Sequence, residues 1–293
     1  MPIKHSGLDR FLLAFNAVAL TFAILIVVVP LLYIVVASFM DPSVLLSQGL
    51  SFKMSDWTLD GYEKILSNPA MIRGFGNAVL YSTSFALLNV AVSVFAGYAL
   101  SDKRLIGRRV FMTLFIITMF FGGGLVPTYL LVKNLGLLDT IWAVIIPGAV
   151  NVWNIILSRT FFRGVPNELK EAANVDGASE AKIFFSIVLP LSKPIIFVLA
   201  LYAFVGQWNS YFDAMIYLDN PNLHPLQLVL RSILIQNQVD PGMISDQLAM
   251  AEMKRLSEII KYAAIVISSL PLVIMYPFFQ KYFEKGVMVG SLK

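Results

Sequence analysis

The sequence predicts an all-α integral membrane protein: six transmembrane helices, N- and C-termini cytoplasmic, and a polar helical segment in the cytoplasm between helices 4 and 5. Three observations predict it. Hydrophobic residues make up 58% of the 293 residues and charged residues 14%, where a soluble domain carries about 25% charged. The apolar residues are gathered into six long blocks separated by polar segments. Lysine and arginine, finally, are concentrated in short segments that all fall on one side once those blocks are threaded through a bilayer.

The blocks run over residues 11–39, 76–100, 110–132, 137–161, 195–218 and 259–283. Each is long enough to cross about 30 Å of hydrocarbon as a helix, which takes about 20 residues. Their continuous apolarity excludes spanning strands, which alternate. The first block is too long for a signal-peptide core and no small-residue cleavage site follows it, so it is expected to be retained, with Lys4 and Arg10 marking its inner end. Gly122, Gly123, Gly124 and Pro127 lie inside the third block. They are expected to weaken or kink that helix, either as a hinge or as a packing notch.

Orientation follows from positive charge. Of 22 lysines and arginines, fourteen fall on the side of the N-terminus: two before the first helix, four in SDKRLIGRR, five from Arg159 to Lys193 and three at the C-terminus. Excess positive charge in short loops marks the cytoplasm. The tight group Lys103, Arg104, Arg108 and Arg109 therefore reads as a topology signal rather than a nucleic-acid contact. The segments 41–73 and 219–258 are then outside. The first is rich in turn formers with an amphipathic piece around Tyr62 to Leu66, and the second ends in an expected helix from Ser245 to Lys261.

The cytoplasmic segment 162–194 reads as two short helices joined by a turn. Pro166 suits the first turn of a helix, and Glu168 and Glu171 sit near its positive end. Gly177 falls where a left-handed C-terminal cap belongs, and Ser179 where the next helix needs an N-cap. Pro190 and Pro194 are expected to limit the second helix. Ala172 and Ala173 lack bulk, so another surface can approach closely. Two readings stand side by side, an amphipathic helix resting on the membrane and a helix docked in a protein socket. Small alanines and charges of both signs favour the socket.

This stretch, EAANVDGASEAKIFFSIVLP, holds Glu171, Ala172, Ala173, Gly177, Ile187, Leu189 and Pro190 at the spacing E-A-A, three residues, G, nine residues, I-x-L-P. It resembles the loop by which the membrane subunits of bacterial ABC importers, the binding-protein-dependent permeases, engage their ATPase. The resemblance extends over most of the chain and points to the maltose-type di- and oligosaccharide branch. The run FGGGLVPTYLLVKNLGLLDTIWAVIIP and the ending YFEKGVMVGSLK are similar to permeases of Gram-positive and related bacteria that import complex oligosaccharides. It implies one permease domain over residues 1–293 in the bacterial cytoplasmic membrane. The implied partners are a second homologous permease, two ATPase subunits, an extracellular solute-binding lipoprotein and membrane lipid. It also implies an ATPase-coupling role for Glu171, Ala172, Ala173, Asp176, Gly177, Ile187, Leu189 and Pro190. This chain would bind no cofactor itself, ATP and Mg being used by the partner ATPase.

The residues offer no catalytic set. No G-x-x-x-x-G-K-[ST], H-E-x-x-H or G-x-S-x-G occurs. Cysteine is absent and His5 and His224 lie far apart outside the apolar blocks, so no metal site is expected. A sugar path needs hydrogen-bonding groups beside flat apolar faces. The fifth block supplies Trp208, Asn209, Tyr211 and Asp213, and the fourth supplies Asn151 and Asn154. The other reading of these residues is helix-to-helix hydrogen bonding. Two further functions stay open: an ion-coupled secondary sugar transporter, which needs more ionisable residues inside the spans than Asp213 alone, and an importer permease for a non-sugar solute. A structural assembly subunit is a third.

Overall fold

A computed structural model describes residues 7–236 and 260–280. The expected helix from Ser245 to Lys261 (except its last two residues) and the C-terminal tail lie outside the described residues. Among the described residues regular structure is helical, with a single backbone bridge between Met40 and Trp57. The described residues divide into two compact units, residues 7–68 with 233–236 and 260–269, and residues 69–232 with 270–280.

In the first unit the apolar block at the N-terminus forms α1, Gly7–Ala37. It runs unbroken through Pro30, as membrane helices tolerate when neighbouring groups satisfy the freed carbonyl. Two short helices follow, α2 (Pro42–Gln48) and α3 (Asp60–Leu66). Asp41 caps α2 by accepting from the Ser43 N–H at 2.8 Å, and Pro42 takes the first helical position, where a missing N–H is harmless. This segment folds back on the end of α1. The Thr58 N–H donates to the Phe39 carbonyl at 2.7 Å, Phe39 stacks on Trp57 at 6.1 Å between ring centroids, and the Ser38 and Tyr62 hydroxyls lie 2.6 Å apart.

The second unit opens with α4, Pro69–Ser101, and continues with α5 (Arg108–Phe120), α6 (Leu125–Asn134), α7 (Trp142–Ile145) and α8 (Val152–Arg163). Then come α9 (Asn167–Val175), α10 (Glu180–Leu191), α11 (Lys193–Trp208), α12 (Phe212–Tyr217) and α13 (Leu226–Gln236). The last described helix, α14 (Ile260–Gln280), begins in the first unit and ends in the second. Helix α4 is the spine of the second unit, with α8 and α11 packed along it. At Gly97 an added Cβ would lie 2.5 Å from the Ser158 hydroxyl and 2.9 Å from the Arg159 nitrogen. The α4–α8 approach is therefore possible only without a side chain there.

Three helices, α1, α4 and α14, are long and apolar enough to cross a membrane unbroken. The expected third, fourth and fifth spans are not single helices. The third is α5 and α6, bent by 113° where Gly124 takes φ +83°. The three glycines thus do more than kink it: they end one helix and begin another, with Pro127 in the first turn of the second. The fourth block is interrupted at Pro147-Gly148, leaving α7 and a 12-residue α8, which at 1.5 Å per residue is about 18 Å long. The fifth breaks at Asn209 to Tyr211, where Asn209 turns its side-chain amide back onto the Val205 carbonyl at 2.9 Å. Hydropathy averages over such breaks because apolar residues flank them on both sides.

Candidate functional site

The segment 162–194 forms two helices joined by a tight turn, as expected. Pro166 stands at the cap position and α9 begins at Asn167. Helix α9 ends in a Schellman turn: the Gly177 N–H donates to Asn174 at 3.0 Å and the Ala178 N–H to Ala173 at 2.9 Å. Gly177 takes φ +73°, a left-handed conformation that costs a residue with a Cβ about 1 kcal/mol or more. Ser179 then caps α10 by accepting from the Lys182 N–H at 3.3 Å.

The motif divides between two jobs. Glu171, Ala172, Asp176 and Gly177 are exposed, as are Asn174 and Val175 beside them. Ala173 is not part of that outer surface. It is buried in a core formed with Val94, Phe162, Ile183, Phe184, Val188 and Leu199, against which Ala178, Ile187 and Leu189 also pack. Its small side chain serves the approach of α9 to its own subunit, which leaves Ala172 as the one alanine of the pair on the outer surface. Aromatic contacts extend the anchor to α4, with Phe184 at 4.7 Å from the Tyr98 ring and 5.4 Å from Phe95.

The second helix is longer than Pro190 alone allows. The turn widens to a π-turn across Phe184–Val188. Pro190, which has no N–H and whose ring must clear the carbonyl four residues back, then sits in a last short turn ending at Leu191. Pro190 is exposed. The chain bends by 76° into α11 at Ser192, with Pro194 in the first turn of α11. Pro194, not Pro190, marks the break.

Between α9 and the end of α4 lies a cleft of about 650 Å³ lined by Tyr98, Asp102, Arg104, Arg163, Lys170 and Glu171 among others. Arg104 reaches Asp102 at 2.8 Å and Glu180 at 3.2 Å. That guanidinium holds the Asp102 carboxyl below the usual carboxylate range, and the two acids push the Arg104 pKa up. Lys170 lies 5.4 Å from the centre of the Tyr98 ring. Sequence reasoning took Arg104 only as a topology marker. The signal available was its place in a charged turn before α5, but nothing in the sequence pairs it with Glu180.

The polar residues of the fourth and fifth blocks are not gathered into one site. Trp208 is 1% exposed, stacked on Phe204 at 5.9 Å and edge-on to Phe75 at 5.6 Å. Asn209 and Asp213 are exposed, and Tyr211 faces the Arg231 guanidinium at 5.2 Å. Asn151 caps α8 by accepting from the Asn154 N–H at 3.0 Å, and the buried Asn154 side chain donates to Asn89 at 2.7 Å. No group of acids and histidines among the described residues could hold a metal.

Residues 89–289 match the family of binding-protein-dependent transport system inner membrane components. The chain belongs to that family. It is a permease, a transport subunit and not an enzyme, of the bacterial plasma membrane, and the E-A-A motif at Glu171 is the family's own. The permease is 38% identical over 268 residues to protein LplC of Bacillus subtilis (strain 168), spanning 92% of this chain and 90% of that protein. It is 39% identical over 277 residues to the polygalacturonan/rhamnogalacturonan transport system permease protein YtcP of the same organism, spanning 92% and 93%. Its fold superposes with a TM-score of 0.84 on a chain of the crystal structure of a bacterial ABC transporter involved in the import of the acidic polysaccharide alginate. There the identity is 32%, and the match covers 96% of this permease and 99% of that chain.

Proposed function

We infer that this permease is half of the membrane-spanning pathway of an ATP-driven oligosaccharide importer. It works with a second, homologous permease, two ATPase subunits that use ATP and Mg, and an extracellular solute-binding lipoprotein. Residues 1–293 act as one permease domain with six crossings and both termini in the cytoplasm. The broken third, fourth and fifth crossings leave residues 121–124, 147–148 and 209 exposed in the single chain, so in a membrane that non-helical backbone is covered by the partner permease or lines the water-filled path.

The observation that carries the coupling role is the division of the motif. Ala173, Ile187 and Leu189 bury one side of the segment in the permease core. Glu171, Ala172, Asp176 and the Gly177 turn stay exposed on the other. A helix so anchored moves as a rigid lever when its outer side is pushed by a closing ATPase. The sugar path is assigned to Asn209, Tyr211 and Asp213 at the α11–α12 break, with Asn151 at the start of α8. Trp208 and Asn154 support that path from behind, through packing and hydrogen bonding.

The substrate class rests on the relatives, which include a polygalacturonan/rhamnogalacturonan permease and a transporter involved in alginate import. The complex, purified with its ATPase and binding protein, is to be tested for hydrolysis stimulated by oligogalacturonides, alginate oligomers and neutral maltodextrins. Stimulation by any of these sugars supports the sugar reading. Stimulation only by a non-sugar solute overturns it, and uptake driven by an ion gradient without ATP overturns the ATP-driven reading.

A further inference from the structure

The turn between α4 and α5 is joined to α10 by a charged fork. The Arg104 side chain lies against Asp102, its Nε 3.2 and 3.1 Å from the two carboxylate oxygens and its Nη2 2.8 Å from one. The Arg104 backbone N–H adds a bond of 2.8 Å to the same carboxylate. Held in that direction, Nη2 also donates to Glu180 at 3.2 Å, across 76 residues of chain. Exposed ion pairs add little to stability, so folding does not explain the arrangement. What the fork does is fix one surface against another.

Helix α10 passes motion to α11 through the chain itself and to α4 through Phe184 and Tyr98. Apolar faces of that kind define contact but slide easily along it; the Tyr98 hydroxyl adds only a 3.5 Å hydrogen bond to Glu180, and this route reaches the turn 102–107 and α5 only through the end of α4. A planar guanidinium gripped by one carboxylate and aimed at another defines direction as well as distance.

The geometry points to Arg104 as a positioning residue for energy coupling: it carries displacement of the segment from Glu171 to Glu180 into the α4–α5 turn, and stays closed through the transport cycle. This rests on the coupling reading above. That reading fails on its own if Gly177→Asp leaves ATPase binding and coupled hydrolysis intact.

The chain has no cysteine, and Ile106 and Lys182 are both exposed. Spin labels at Ile106→Cys and Lys182→Cys, in the complex assembled with its ATPase, report the distance between turn and segment. One narrow distance, the same without nucleotide and after trapping with ATP and vanadate, is expected. With Arg104→Gln the ATPase stays bound, but the distance broadens and changes on trapping, because the segment then moves without the turn. Arg104→Glu with Glu180→Arg, in an Asp102→Asn background, rebuilds the bridge with its charges exchanged and restores the narrow, invariant distance. A narrow distance unchanged by Arg104→Gln, a pair that separates on trapping in the unaltered chain, or an exchanged pair that fails to restore it would each overturn the proposal.

Discussion

Asn154 of α8 donates its side-chain amide to Asn89 of α4 at 2.7 Å, and Asn89 passes the chain on to the Ala149 carbonyl at 2.9 Å. Both side chains are buried, at 5% and 1% exposure. A residue that the composition of a span offers for a sugar path is thus held in a helix-to-helix polar clamp. Asn154→Leu is expected to leave the Asn89 oxygen without its donor and to cost about 1–3 kcal/mol, read as a lower midpoint of thermal unfolding. Asn89→Leu combined with it should cost less than the two separately. Additive losses would argue against the clamp.

Gly177 has open space around the position of an added Cβ, with nothing within 4 Å in this subunit. Gly177→Ala therefore meets only backbone strain, about 1 kcal/mol, and leaves the permease inserted. Gly177→Asp adds a side chain that has no steric conflict inside the permease. Loss of co-purified ATPase, or hydrolysis that no longer responds to substrate, is expected and reports the partner's surface. Unchanged binding and hydrolysis would place docking elsewhere.

The contrast between two glycines of α4 tests the packing. Gly97→Ala places a methyl group against the Ser158 hydroxyl and the Arg159 backbone, an overpacking that costs about 1–3 kcal/mol. Gly76 has nothing within 4 Å, and Gly76→Ala should be neutral or slightly stabilising through helix propensity. Unfolding midpoints of the two variants in one detergent decide the matter.

Trp208→Ala removes a ring packed between Phe204 and Phe75 and should cost about 3–5 kcal/mol, seen as poor recovery of the assembled complex. Tyr211→Ala alters an exposed ring and should leave assembly and basal hydrolysis intact while substrate uptake falls. If Tyr211→Ala transports normally, the path does not pass the α11–α12 break.

Met54 and Ile106 are 91% and 92% exposed and fall on opposite sides of the inferred topology. Cysteines at the two positions should differ in intact, right-side-out cells, Met54→Cys reacting with an impermeant maleimide and Ile106→Cys reacting only after permeabilisation. Labelling of Ile106→Cys in intact cells would reverse the assignment.

Membrane residence and helical class followed from the sequence because continuous apolarity of about 20 residues has few other solutions in lipid. The turn at Gly177 and the cap at Ser179 were legible for a related reason: both depend on one residue's own backbone freedom or side-chain reach, and so are local. The inward side of Ala173 was not legible, since an alanine suits a close contact with its own core or with another subunit, and only the position of Val94 and Phe184 decides between them. The breaks at Phe121 to Gly124, at Pro147-Gly148 and after Trp208 carry turn-forming residues in sequence, yet whether a glycine or proline bends, breaks or merely thins a helix depends on which neighbours satisfy the freed backbone groups. Arg104 meeting Glu180, and Asn154 meeting Asn89, join residues 76 and 65 positions apart. No pattern along the chain encodes such pairs, because they exist only once α4 lies beside both α8 and α10.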